Sequence, residues 1–291
     1  MKTVLVFVKQ VPDTQNITGD AMTPEGTVNR AALPAIFNPE DLNALEMALE
    51  LKDRYGVKVV VATMGPFNAA NVLRDCLCRG ADEAILLTDR AFAGADTLAT
   101  SYALSCCART VGADLILCGR QAIDGDTAQV GPQLAEKLNL PQIAYVEEII
   151  SVENDRITAR RGIEGGHEIL AAPLPVLATV VDANNPRPRA ARRIMKYKRA
   201  RIPSEVRREI PDAAAAEAEI ARLKAQGLLI TELTAAAAGA DVNRIGLKGS
   251  PTKVKNIQSV VLTAGEAKSV EPTASGIAEL IHELISDHTL G

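Results

Sequence analysis

The residues richest in chemistry stand in one run, Gly119-Arg120-Gln121-Ala122-Ile123-Asp124-Gly125-Asp126-Thr127-Ala128-Gln129-Val130-Gly131-Pro132. The run follows a short apolar stretch and precedes one of helical spacing, the junction at which open α/β sheets bind ligands. Its small residues let the backbone approach a bound molecule. Free N–H groups from Thr127 onward would point at an anion if a helix begins there. The two carboxylates need other work, because an acid beside a phosphate costs energy. Asp126 suits a helix cap, and Asp124 or Gln121 suits an acceptor for ribose or adenine. The same residues also fit a polar strand-to-helix turn that binds nothing, and their types leave both readings open.

Other chemistries find little support. No G-x-G-x-x-G fingerprint and no Walker motif occurs. His167, His282 and His288 are scattered, so no acid–base catalyst is assigned. Cys76, Cys78, Cys106, Cys107 and Cys118 include no C-x-x-C pair. They read as buried thiols in a reducing compartment, with no metal site expected.

The elements that must position this run are legible by period. Continuous apolar runs at 4–8, 57–63, 84–88 and 115–118 alternate with helical spacing at 39–54, 68–79, 97–110 and 127–138. That alternation implies βαβ units and a mostly parallel sheet with helices on both faces, a Rossmann-like α/β fold. Asn38 can cap a helix beginning at Pro39, with Glu40 and Asp41 set against its dipole. Asp96 before Thr97 and Asp126 before Thr127 repeat the pattern. Beyond Pro141 the runs 142–152, 156–161, 167–170 and 176–182 predict an antiparallel meander turning at Glu164-Gly165-Gly166. An alanine-rich helix over 213–226, an extended arm including 246–252 and a last helix over 274–286 complete the reading. The domains expected are 1–200 for the α/β unit and 201–291 for the C-terminal helix and arm.

With 291 residues, 47% hydrophobic and 23% charged, the chain can bury a full core. Its net charge of −4 gives no reason to bind nucleic acid or an anionic membrane. No apolar run is long enough for a transmembrane helix. The first residues read as a strand and not a signal peptide, so a cytoplasmic protein is expected. The basic stretch 187–208 is read as a solvated loop or a docking segment. Nucleic-acid binding is disfavoured there because a single aromatic, Tyr197, interleaves it.

Five motifs, in this order, resemble the β subunit of electron-transfer flavoproteins. They are Val8-Lys9-Gln10-Val11, Asn38-Pro39, Gly80-Ala81-Asp82, the Gly119–Gly131 run with its Gly-Arg-Gln-Ala-Ile-Asp-x-Asp core, and Ile194-Met195-Lys196. The resemblance implies an adenine-nucleotide-binding fold and an obligate partner, the α subunit. It implies that Phe7, Lys9, Asn38, Pro39, Glu40, Asp41, Met64, Gly65 and Arg120 to Gly131 surround a nucleotide, Phe7 mainly through its backbone. It also implies that 183–193 docks onto a dehydrogenase and that the C-terminal arm wraps over the α subunit.

Members of that family hold either structural AMP or a second FAD in this site. In the FAD kind, NADH delivers a hydride. The electrons divide between ferredoxin or flavodoxin and, through the α-subunit flavin, a dehydrogenase. Residues 38–46 and Ala95-Asp96-Thr97-Leu98-Ala99-Thr100-Ser101 resemble that bifurcating kind, with Asp96, Thr97 and Thr100 at a helix start suited to a pyrophosphate. FAD is therefore expected over AMP. With 3% aromatic residues, backbone amides, an arginine and exclusion of water would tune a flavin here. A rival of another class is a nucleotide-binding regulatory module like the universal stress proteins.

Overall fold

A computed structural model describes residues 1–13, 34–181, 185–252 and 269–286. The first strand, β1 (Thr3–Phe7), leads into a small ribbon of β2 (Gln10–Pro12) and β3 (Ala35–Phe37) and then α1 (Pro39–Tyr55). Three further pairs follow: β4 (Lys58–Met64) with α2 (Ala70–Arg79), β5 (Glu83–Leu87) with α3 (Thr97–Val111), and β6 (Leu115–Gly119) with α4 (Val130–Leu138). Next come β7 (Gln142–Glu153), β8 (Arg156–Ile163), β9 (Gly166–Pro173) and β10 (Val176–Val180). The helices α5 (Ala191–Tyr197), α6 (Pro203–Glu209) and α7 (Ala213–Ala225) precede β11 (Thr231–Leu233).

One sheet of nine strands runs in the order β11-β5-β4-β1-β6-β10-β7-β8-β9. Every pairing from β11 to β7 is parallel, and β7, β8 and β9 pair antiparallel. The α/β expectation is met, with one correction inside it. The meander has three strands, and β10 returns to lie parallel between β6 and β7. Every residue of Val176–Val180 is buried, as a strand covered on both faces must be.

Side chains of alternate residues point to opposite faces. Val4, Val6, Val59 and Val61 pack under α1 and α2, while Leu5, Val60 and Ile116 pack under α3 and α4. Each fully buried side chain of this kind contributes about 1.5–3 kcal/mol. Crossovers through α1 and α2 carry the chain outward to β4 and β5, and the crossover through α3 returns it to β6 on the far side of β1. The strand order therefore reverses between β1 and β6. Their carboxyl ends flank the crevice where doubly wound sheets take ligands.

The chain divides into a unit of residues 1–255 and a unit of 256–291. The expected boundary at residue 200 does not coincide with this division. Leu233, Ala235 and Ile245 are buried with the α3–α4 core, and β11 extends the parallel sheet. In the second unit, α8 (Ala274–Ser286) carries Ile277, Ile281 and Ile285 exposed along one face. Residues 183 and 184 of the expected docking stretch, 253–268 of the expected arm, and His288 lie outside the described residues. Among the described residues, no helix is long and apolar enough to cross a membrane.

Candidate functional site

Pro39 opens α1 with its φ already set for a helix, leaving the side chains beside it for other work. Contrary to the expectation from its residue type, Asn38 makes no side-chain cap bond. Its Nδ2 donates to the Gln121 carbonyl at 2.9 Å and its Oδ1 accepts from the Ile123 amide at 3.1 Å. Glu40 accepts from the Arg120 guanidinium at 2.7 Å and the Gln121 amide at 2.9 Å. Asp41 is buried, and its two oxygens accept from the amides of Gly119, at 3.0 Å, and Lys9, at 2.9 Å. Burial pushes the Asp41 carboxyl up to about 7, against bonds from Asn38 and those two amides. The first turn of α1 thus grips the chain leaving β6.

Lys9 completes this network by donating to both oxygens of Asp124, at 2.7 and 2.8 Å. The grip explains a glycine. A Cβ on Gly119 would lie 2.6 Å from the Asp41 Oδ1 and 2.8 Å from the Asp41 nitrogen. Phe7 is buried at the end of β1. Met64 ends β4 half-buried beside it, and the Gly65 amide donates to the Leu87 carbonyl at 3.0 Å.

The connection from β6 to α4 departs from expectation. Asp126 and Ala128 have φ of 47° and 51°, a left-handed backbone that interrupts a helix. As a result α4 starts at Val130, and Asp126 caps nothing. Asp126 accepts from the Gln121 side chain at 3.1 Å, and the amides of Gly125 and Asp126 close a turn on the Ala122 carbonyl. Gly125, Asp126 and Thr127 are exposed, and a Cβ on Gly125 would meet nothing within 4 Å. Gly131 serves packing, since its Cβ would lie 2.6 Å from the Thr179 methyl. Val130 packs against the α3–α4 core.

Asp96 caps α3 as expected, accepting from the Ala99 amide at 3.0 Å. Burial opposes its ionisation, but the amides of Ala99, Thr252 and Leu98 and the Ser250 hydroxyl hold the carboxyl below its usual value. The Thr97 hydroxyl donates to Gln129 Oε1 at 2.8 Å, so the starts of α3 and α4 stand side by side. Thr100, half-buried one turn on, donates its amide to the Asp96 carbonyl.

Three contributors were not singled out in the sequence, although Glu46 and Ser250 lie in the stretches 38–46 and 246–252 named above. Ser250 accepts from the Asp96 amide at 2.8 Å and donates to the Gly246 carbonyl at 2.7 Å, which lays 246–252 across the start of α3. Glu46, buried two turns along α1, binds Arg187 through the backbone amide and guanidinium at 2.8 Å each. Tyr145 sits at a bulge of β7 with φ 60°, its ring 5.9 Å from the Arg120 guanidinium. A lone tyrosine in a strand gives no sequence signal. A glutamate at an apolar helical position does give one, and Glu46 occupies such a position.

The residues fit an adenine nucleotide. Arg120 Nε is buried with no acceptor, the backbone at 125–127 is open, and the Thr97 hydroxyl stands opposite. The first-turn amides of α3 are largely taken by Asp96 and those of Gly125 and Asp126 by the Ala122 carbonyl, so an anion would rely on the backbone at 127–128 and Arg120.

A family model, the electron transfer flavoprotein domain, matches residues 25–207. An electron transfer flavoprotein subunit beta of Megasphaera elsdenii is 47% identical over 87% of this chain and 86% of its own length. Protein FixA of Bradyrhizobium diazoefficiens is 41% identical over 95% of this chain and 89% of its own. The caffeyl-CoA reductase-Etf complex subunit CarD of Acetobacterium woodii is 51% identical over 63% of this chain and 70% of its own. The order of motifs, the fold and these matches agree: the chain belongs to the electron transfer flavoprotein family, among its β subunits.

Proposed function

We propose that the crevice between β1 and β6 holds FAD, and that the chain works with an α subunit as the NADH-oxidising side of an electron-bifurcating flavoprotein. The observation that supports this reading is the linked network of Lys9, Asn38, Glu40 and Asp41, which holds residues 119–124 in place at the strand reversal. A bound flavin would supply two-electron acceptance from a nicotinamide and one-electron release to separate acceptors. The chain's own residues bind, orient and tune. Arg120 brings a positive charge with one N–H unused, the amides of 127–128 bring dipoles, and the Thr97 hydroxyl and Gln129 stand at the start of α3 and α4.

The electrons would pass to ferredoxin or flavodoxin and, through the α-subunit FAD, to a dehydrogenase. The name of the CarD relative, a subunit of a caffeyl-CoA reductase complex, supports an acyl-CoA-type enzyme as that partner. The apolar stripe of α8 and the exposed edge strand β9, with Ile169 open to solvent, are surfaces suited to the α subunit. The stretch 183–193 is the dehydrogenase-docking candidate, and five buried free thiols suit the cytoplasm. The second reading is AMP in the same crevice. It is favoured by one observation: Asp96 already occupies the α3 amides that a pyrophosphate would use.

Denaturing the purified heterodimer and counting released nucleotides tests the choice. Two FAD per heterodimer are expected. One FAD with one AMP would replace the reading by the simple carrier, and ATP or no nucleotide by a regulatory module.

A further inference from the structure

Asp41 stands among the nucleotide contacts that the family resemblance implies, yet its surroundings give it other work. The side chain is 7% exposed. One oxygen holds the first amide after β1 that turns toward the crevice, at Lys9, and the other holds the last amide of β6, at Gly119. These strands are sequence-distant neighbours that diverge where the sheet reverses order. The Lys9–Asp124 pair is a second link between the same two exits, but Asp41 holds their main-chain amides directly. The position of Lys9 then sets where its ammonium meets Asp124, while Glu40 and Asn38 hold the following residues. We infer that Asp41 is a positioning residue for the crevice: its carboxylate ties the two strand exits together and thereby sets how firmly the nucleotide is held. This rests on the nucleotide reading above.

The device is sensitive to pH because both oxygens accept from N–H groups. A protonated carboxyl turns one acceptor into a donor facing a donor, so one exit is released. The groups around Asp41 do not replace it. Lys9 lies after β1, with its ammonium committed to Asp124. Arg120 is committed to Glu40 on the same turn of α1. The Cys118 thiol of β6 and the Cys76 thiol of α2 are both pushed up by burial, with the Asp41 charge adding to each, and so stay neutral. Burial dominates over the bonds at Asp41, so the change falls near neutrality.

The test dialyses the full heterodimer at about pH 8 and about pH 6 and measures retained nucleotide, alongside hydrogen exchange of residues 119–123 corrected for its intrinsic pH dependence. Retention in the natural protein is expected to fall roughly tenfold between the two, following the ionised fraction, with faster exchange in that segment. Asp41→Asn, which cannot offer two acceptors, is expected to retain little at either pH and to show no pH step. Equal retention at both pH values, or the same step in Asp41→Asn, would overturn the role. If that variant does not fold, the exchange profile of the natural protein decides: no acceleration at 119–123 defeats the proposal. A pH step in exchange without any bound nucleotide would leave the tie standing and remove the nucleotide reading instead.

Discussion

At the scale of the residue, the site is made by side chains that hold backbone and leave the opening to main-chain amides. Gly119 shows how little room is left, since a methyl group there would press on both the carboxylate and the amide of Asp41. Overpacking of this kind costs about 1–3 kcal/mol. Gly119→Ala is therefore expected to lower the melting temperature by several degrees and to loosen nucleotide binding, both read by calorimetry. Gly125→Ala, where a methyl group meets open space, should leave the melting temperature nearly unchanged. Equal losses in the two variants would contradict the packing described here. The residue types at 119–131 marked the strand-to-helix junction after β6, because small residues and amides do not depend on tertiary context. The roles of Asn38 and Asp126 were not legible. Both are good cap residues by type, yet the turn at 122–128 is left-handed at two positions, and Asn38 meets partners more than eighty residues away in sequence.

At the scale of the element, α1 is a shared strut. Its first turn grips the exit of β6, and Glu46 and Asp53 further along grip Arg187 of the docking candidate. The same stretch is fixed to α2, with Ala190 donating to Cys78 and Arg193 to Leu77 and Ala81. A freely solvated loop does not describe 187–193, because Arg187 pairs with Glu46 and Asp53 and Arg193 lies on the carbonyls at the end of α2. Glu46→Ala leaves the Arg187 amide and guanidinium without their buried acceptor, at a cost of about 2 kcal/mol. Limited proteolysis is expected to cut near 185–193 faster in that variant, while nucleotide content stays unchanged. Unchanged cleavage would show that the loop is held by other bonds. The four parallel βαβ strands could be read from continuous apolar runs, and the same signal is present in Val176–Val180. Grouping that run with the amphipathic strands before it hid its place between β6 and β7.

At the scale of the whole molecule, the chain divides into two compact units. The first buries its own core, and its polar network closes on itself. The α8 helix of the second unit, with no buried residue, presents an isoleucine stripe suited to another chain. A chain ending at Lys255 is expected to unfold as cooperatively as the full protein in a thermal melt, yet to bind the α subunit several-fold more weakly in titration calorimetry. Undiminished affinity would remove α8 from the partner interface. The tail escaped the sequence reading because short apolar residues such as Ala235 and Ile245 show no period, although they complete the α3–α4 face.

On the proposed function, the crevice between β1 and β6 cradles a nucleotide with main-chain amides and Arg120. A crystal structure of the assembled heterodimer tests it most directly. Density of an adenine nucleotide, its phosphates within hydrogen-bond reach of residues 120–128, is expected. A crevice filled by the side chains of 119–131, or a nucleotide bound elsewhere on this subunit, would contradict it.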